Sequence, residues 1–528
     1  MRKPETKISF PTSLLLVLLA AFLLRFAMQF LFDFPFGFDT FLHMDLAKTF
    51  TTPNWFSVNV NTIGAMQCSD FPCPVDDRPP FFNFVTGLFF SVFGQSYEIA
   101  KFTNVILGTL MIVPIFLIGR SYGKAGLFAS VFIAVSPFFI GQSVDTEVRI
   151  ITAYAALTSL YFFMSKNLAL SFLFLTITFL IHYPESIILG ITYLIFLVKS
   201  RFRGVITKQN TMAIILSLII VSPWVVRNYE FFGSPLTSSS SRFVNLNSEY
   251  EILLLPGNEP SAQKEISQVI RDKLFIFLRA VFPVPFTGGN FNLNFLSNEN
   301  MINRSFISFL TLPIAALSMI YLVKAAMRAK RQLDVILVYV IVGFAFAIAV
   351  TNIIIPIELS ILFPQVALLS VAAFSAFEKI GSKYKKAIAV LIVIFIILQV
   401  GNYTLKNDVR RDFAQSWITQ NTEIEDKIML RWTDTYVTNF LTGRSTIAIR
   451  YGSQQQFLNF VNESGADYIV VDDTDVFVGS LLNKNLNSSA YTVDLDFLGE
   501  NFQNVGTYNV YEKGIFKEHK NTYYIFKT

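Results

Sequence analysis

The chain has 528 residues, 53% of them hydrophobic and only 15% charged, with 57 Phe and a formal net charge of +5. Apolar residues on that scale, gathered in long blocks, exclude an ordinary soluble domain and place the chain among polytopic membrane proteins. The basic residues form no patch interleaved with aromatics, which argues against a nucleic-acid binder.

Arg2, Lys3 and Lys7 precede an apolar run from about Ile8 to Phe32. That run is longer than the core of a signal peptide and shows no small-x-small cleavage pattern, so it is expected to remain as a first transmembrane helix. Arg25, near its far end, is expected to snorkel to the interface. The stretch Phe36-Gly37-Phe38-Asp39-Thr40-Phe41-Leu42-His43-Met44-Asp45 follows directly. Ionisable groups at the mouth of a membrane bundle are costly to keep, which favours function over accident. On a helix beginning near Asp39, His43 at i+4 shares its face, whereas Asp45 points elsewhere. An acid there suits a general base for an acceptor hydroxyl, or a metal ligand; His43 suits a direct role or the orienting of a neighbour.

Cys68 and Cys73 lie together in a polar loop, where either a small disulfide or two free thiols fits. No further Cys or well-placed His accompanies them, against a structural zinc site. Asp76-Asp77-Arg78-Pro79-Pro80 then opens the short apolar run Phe81–Gly94, which fits a helix lying in the interface better than a span. Arg78 is thereby set at headgroup level, where a guanidinium can hold a phosphate bidentately.

Spanning-length runs recur near 102–119, 125–141, 146–164, 167–181, 185–198, 211–226, 305–323, 333–350, 353–375 and 387–403, eleven with the first. With Phe81–Gly94 flat, the loops holding Arg120/Lys124, Lys166, Lys199–Lys208, Lys324–Arg331 and Lys379–Lys386 all share the side of the basic N-terminus. By the positive-inside rule that side is cytoplasmic. The opposite face receives the 33–101 loop, Gly141–Arg149, His182-Tyr183-Pro184-Glu185, the 227–300 loop and the tail from about Leu405. In Asp145-Thr146-Glu147-Val148-Arg149, the D-x-E pair offers oxygen ligands for Mg²⁺ or Mn²⁺, and Arg149 can pair with either acid. In Pro223-Trp224-Val225-Val226-Arg227-Asn228-Tyr229, Trp224 belongs to an aromatic belt and Arg227 can reach a phosphate or a carboxylate. Residues 405–528 change character: β-rich runs such as Ala466–Val471 alternate with helical pattern such as Gln454–Asn462, and a small α/β domain is expected.

These motifs resemble, in order, those of the GT-C superfamily of membrane glycosyltransferases. The order is an outer-loop acid after the first span, Arg-Pro-Pro-Phe-Phe…Phe-Gly, Ser-Pro…Asp-Thr-Glu, Pro-Trp-Val-Val-Arg-Asn-Tyr…Phe-Gly-Ser-Pro, and Thr438–Arg444 (TNFLTGR). The likeness runs over nearly the whole chain. Pro-Trp-x-x-Arg-Asn is its most specific part and is similar to the protein mannosyltransferases and the lipid A aminoarabinose transferase. Asp39 followed by His43, with D-x-E at 145–147, resembles the oligosaccharyltransferase catalytic subunits instead. Thr40 stands where the mannosyltransferase pattern has a second acid, and the Trp-Trp-Asp-Tyr-Gly of oligosaccharyltransferases is absent; Arg431–Tyr436 is a poor match.

The resemblance implies a polytopic α-helical GT-C-like domain over 1–404 and an extracytoplasmic α/β domain over 405–528. It implies an inverting hexosyl or pentosyl transferase using a polyprenyl- or dolichyl-phosphate-linked sugar, with a lipid, glycan or protein acceptor. Asp39 is then the acidic residue of the first outer loop, acting as catalytic base or metal ligand, with His43 beside it; Arg78, Arg149 and Arg227 are candidates for the donor phosphate, and Asp39, Asp145 and Glu147 for a metal. Two rival functions are an oligosaccharyltransferase-like transfer to protein Asn and a lipid-carrier flippase. A flippase needs charges deep along a path, but here they gather at one face, with Arg25 and Glu358 as the main exceptions.

Overall fold

The computed structural model describes residues 11–30, 39–52, 56–61, 71–75, 79–201, 207–235, 312–329, 333–350, 356–406, 414–430, 432–449, 454–472, 495–513 and 518–528. Each of the eleven apolar runs carries a helix or a broken pair of helices. They are α1 (Thr12–Met28), α4 with α5 (Tyr97–Leu110, Ile112–Arg120), α6 with α7 (Ala125–Val135, Pro137–Val144) and α8 (Arg149–Met164). Next come α9 (Leu168–Phe179), α10 (Tyr183–Lys199), α11 (Lys208–Phe232), α12 (Leu312–Arg328), α13 (Val335–Val350), α14 (Pro356–Glu378) and α15 (Ser382–Lys406). By length and apolarity alone, Tyr97–Arg120 and Lys208–Phe232 are long enough to cross a membrane, and the α6–α7 pair makes a third if counted as one span.

The α6–α7 break has a local cause. Pro137 has no N–H to give to the carbonyl of Ile133, and Ser136 turns to extended backbone (ψ 124°), so the helix ends and restarts with a 60° bend. Elsewhere glycine sets close packing: a Cβ on Gly119 would lie 2.4 Å from Gly126 Cα, so α5 and α6 meet backbone to backbone there.

The chain forms two compact units, and the second is discontinuous in sequence. The first contains α1, most of α4, α5–α10, α11 to Pro223 and α12–α15. The second gathers the described parts of 33–97, of 224–263 and of the tail, so it does not follow the sequence boundary at 404/405. Its centre is a six-stranded sheet in the order β2-β5-β4-β6-β8-β7. The strands are β2 (Val60–Asn61), β4 (Lys427–Leu430), β5 (Ser445–Ala448), β6 (Tyr468–Asp472), β7 (Gln503–Lys513) and β8 (Glu518–Lys527). β4, β5 and β6 are parallel, β7 and β8 an antiparallel hairpin. The edge strand β2 comes from the loop after α1 and pairs parallel to β5, Val60 opposite Thr446. Alternation along the strands puts Met429, Ile447, Ile469 and Val471 in one core and Ile428, Leu430, Val470 and Ile525 in another.

The TNFLTGR segment is architectural. Arg444 donates to the Thr422 hydroxyl and to the carbonyls of Thr419, Thr422 and Thr442, while Asn439 Nδ2 donates to the carbonyl of Arg444 at 2.7 Å. Gly443 takes φ +73° in the turn between them.

Candidate active site

The first compact unit holds the D-x-E motif. α7 ends at Asp145, and Asp145, Thr146 and Glu147 form the turn into α8. Arg149 Nη2 lies 2.7 Å from Glu147 Oε2, and its Nη1 donates to Gln142 Oε1 at 2.8 Å. The turn backbone is held from α4: Asn104 Nδ2 donates to the carbonyl of Asp145 and, at 3.2 Å, to that of Glu147. One turn back on the same face, Lys101 is buried with Nζ 2.9 Å from the carbonyl of Gln29. The expected trio of Asp145, Glu147 and Arg149 is therefore brought together. Lys101 and Asn104 are additions that the sequence reading missed, although a lysine and an asparagine three apart in an apolar helix are a recognisable signal.

Two buried polar assemblies accompany this turn. Arg25 is wholly buried inside the helices, which corrects the expectation that it snorkels. Glu185, expected at the outer face, is buried as well; it accepts from the Tyr339 hydroxyl and from Gln365 Nε2, 3.2 Å from each carboxylate oxygen. Gly343 leaves the room, since a Cβ there would sit 2.9 Å from the Gln365 amide. Glu185 thereby ties α10 to α13 and α14, a role its place in His-Tyr-Pro-Glu did not announce.

The second compact unit holds Asp39 and His43. Asp39 opens α2 (Asp39–Lys48), as the spacing required; its side chain lies outside the described residues, as does the whole of Arg78. α3 (Phe81–Phe93) is helical as expected and lies beside α2. His43 Nδ1 is 2.9 Å from Asn83 Oδ1, a buried hydrogen bond between α2 and α3. One turn further along, a Cβ on Gly87 would meet the Ala47 carbonyl at 3.0 Å, so the two helices touch along matching turns.

Asp45 is buried on another side of α2, 3.7 Å from Lys48 Nζ. Burial pushes its carboxyl up to about 7, with Lys48 pulling back. Lys48 also donates to the carbonyl of Phe440 at 2.9 Å and lies over that ring.

Arg227 takes a bracing position. Its Nη1 and Nη2 each donate at 3.0 Å to the carbonyls of Val75 and Phe56, and the guanidinium packs among Phe56, Trp224, Phe231 and Phe232. The Trp-x-x-Arg spacing is what stacks Trp224 against the cation one turn away. Cys73 is disulfide-bonded, and the chain's other cysteine, Cys68, is outside the described residues.

Of the proposed metal set Asp39, Asp145 and Glu147, the Asp39 side chain lies outside the described residues. Among the described residues no three His, Cys, Asp or Glu side chains converge, and Glu147 is engaged by Arg149.

Comparisons with known proteins agree with this architecture. Residues 77–226 match the family model of dolichyl-phosphate-mannose-protein mannosyltransferases. No curated protein sequence matches. Among solved structures, the ArnT of Cupriavidus metallidurans in the apo state superposes with a TM-score of 0.60 at 11% identity, over 97% of this chain and 98% of that one. The archaeal oligosaccharyltransferase AglB of Archaeoglobus fulgidus gives 0.58 at 16% identity, over 96% of this chain and 74% of that one. The arabinofuranosyltransferase AftD from Mycobacteria gives 0.52 at 11%, over 97% of this chain and 39% of that one. Residues 77–226 thus resemble the mannosyltransferase family in sequence, and the chain shares its fold with these three solved structures.

Proposed function

We propose that the protein transfers a sugar from a polyprenyl-phosphate carrier to an acceptor hydroxyl at the extracytoplasmic face, with inversion at the anomeric carbon. The observation that carries this reading is the Asp145–Arg149 turn. It is an acid–guanidinium assembly fixed by Asn104 and lying inside the stretch that matches the mannosyltransferase family. The C. metallidurans ArnT has a structure bound to undecaprenyl phosphate, and AglB one in complex with a dolichol-phosphate, which supports a lipid phosphate as the carrier here.

In this mechanism the acceptor oxygen attacks the anomeric carbon while the bond from that carbon to the phosphate oxygen breaks. The electron pair leaves on the polyprenyl phosphate, and the acceptor proton passes to Asp39. A guanidinium whose counter-ion can be exchanged for phosphate suits the growing charge on the leaving group. Arg149 is assigned that role, with Arg78 as a second cation. Arg227 is assigned to holding the outer loop, because its fork is spent on main-chain carbonyls. His43, with Nδ1 fixed by Asn83, is assigned to orienting groups beside Asp39. Eleven spans, a cytoplasmic N-terminus and an extracytoplasmic tail complete the proposal.

A second reading, transfer of a lipid-linked glycan to protein Asn, is favoured by the Asp-x-x-x-His and D-x-E spacing, and it would engage a divalent cation at Asp39, Asp145 and Glu147. The test is transfer from a radiolabelled polyprenyl-phosphate monosaccharide by purified protein, with and without EDTA, alongside Asp39→Asn. Transfer that survives EDTA and is lost in Asp39→Asn supports the base mechanism. Loss with EDTA and recovery with Mn²⁺ supports the second reading. Activity retained by a folded Asp39→Asn protein would remove Asp39 from the mechanism.

A further inference from the structure

Arg25 has no role in the reaction just described, yet it is a fully buried cation among the helices. It lies in the last turn of an apolar helix, is 0% exposed, and among the described residues none of its hydrogen-bond partners is an acid. A charge held in a spanning helix without a counter-ion calls for a function.

Its partners identify that function. Nη2 donates to the carbonyl of Ile133 at 2.9 Å and Nη1 to that of Ala134 at 3.1 Å. Those are two carbonyls at the C-terminus of α6, where the helix ladder is interrupted. The partner Ile133 would use in a continuous helix is the N–H of residue 137, and residue 137 is proline. The bend at Ser136 removes the next rung, and the backbone ladder resumes with the N–H of Ile140 bonding the carbonyl of Ser136. A cation at that end also complements the helix dipole.

The remaining arm reaches the other half of the break. Arg25 Nε donates to Ser143 Oγ at 3.0 Å, and that hydroxyl donates to the carbonyl of Phe139 at 2.6 Å. Ser143 is two residues before Asp145. Gly108 on α4 faces the same point: a Cβ there would sit 2.2 Å from Ser143 Oγ and 3.5 Å from Arg25 Nε. Asn104, one turn earlier on that face, holds the carbonyls of Asp145 and Glu147.

We propose that Arg25 is a positioning residue: it closes the broken end of α6, grips the last turn of α7, and so sets the position of the Asp145–Arg149 turn. The importance of that turn rests on the function proposed above, but the placement does not, and it can be measured without any sugar donor.

The experiment places a reporter cysteine at Thr146, which is 1% exposed, and follows its modification by a maleimide in the purified full chain. A control cysteine at Ser171, on buried surface of α9, reports general unfolding. Losing hydrogen bonds to a charged group should speed labelling at 146 on the order of ten-fold or more in Arg25→Gln and in Ser143→Ala, with 171 still protected. Arg25→Lys keeps the charge but not the fork, and should restore protection only in part. If 171 also opens in Arg25→Gln, that variant has unfolded and Ser143→Ala decides. Labelling at 146 equal to the parent in a folded Ser143→Ala protein overturns the proposal.

Discussion

Arg149 Nη2 lies 2.7 Å from Glu147 Oε2, and its other arm rests on Gln142, so the guanidinium is oriented before any ligand arrives. An ion pair two residues apart across the start of α8 is partly exposed, with side-chain exposures of 21% and 11%, and so is weak enough to be exchanged. Arg149→Gln should therefore weaken binding of undecaprenyl phosphate by roughly ten-fold while changing the melting temperature little. Ligand-induced thermal shift checks it. An unchanged affinity would assign the phosphate elsewhere.

Asn104 bridges the turn carbonyls of Asp145 and Glu147 from the neighbouring helix. Asn104→Ala leaves both with less hydrogen bonding in buried surroundings, at a cost of about 1–3 kcal/mol. Transfer should fall further than stability in this variant, and comparing kcat with the denaturation midpoint separates the two.

Gly108 has no room for a methyl group, with Ser143 Oγ 2.2 Å and Ser143 Cβ 2.6 Å from the added carbon. Gly108→Ala is expected to destabilise by about 1–3 kcal/mol, as overpacking does. Ser143→Gly in the same chain removes both clashing atoms and should recover most of the loss in melting temperature.

Asp45 gives the second unit a pH dependence of definite sign. Its carboxyl is raised by burial from 3.8 to about 7, so between those values the folded chain holds a proton that the unfolded chain has lost. The contribution to stability is whole below 3.8, declines as pH rises to about 7, and is flat above that. Lys48 is shifted the other way, lowered by burial against the pull of Asp45, and loses its contribution as pH falls through that lowered value. The groups in contact are Lys48 and, through it, the Phe440 carbonyl and ring. Asp45→Asn should flatten the fall in melting temperature across this acidic range, measured in a constant-ionic-strength buffer series.

Composition and block length determined the class of this protein. A long apolar run satisfies its backbone polar groups internally as a helix, and each of the eleven runs carries one among its described residues. The i, i+4 spacing of Asp39 and His43 was legible for the same reason, because a helix fixes which residues share a face. The D-x-E turn was legible too, since Pro137 and the polar run after Val144 mark where helix must stop.

Tertiary structure decided what the buried polar groups do. Sequence presents Arg25, Glu185 and Arg227 as charges in or beside apolar helices, and local pattern assigns all three to the interface. Their partners lie far along the chain: Ile133, Ala134 and Ser143 for Arg25, Tyr339 and Gln365 for Glu185, Phe56 and Val75 for Arg227. A buried charge is satisfied by whichever carbonyls and hydroxyls the packing brings to it. That choice has no period in the sequence, whereas the helices that deliver the partners do.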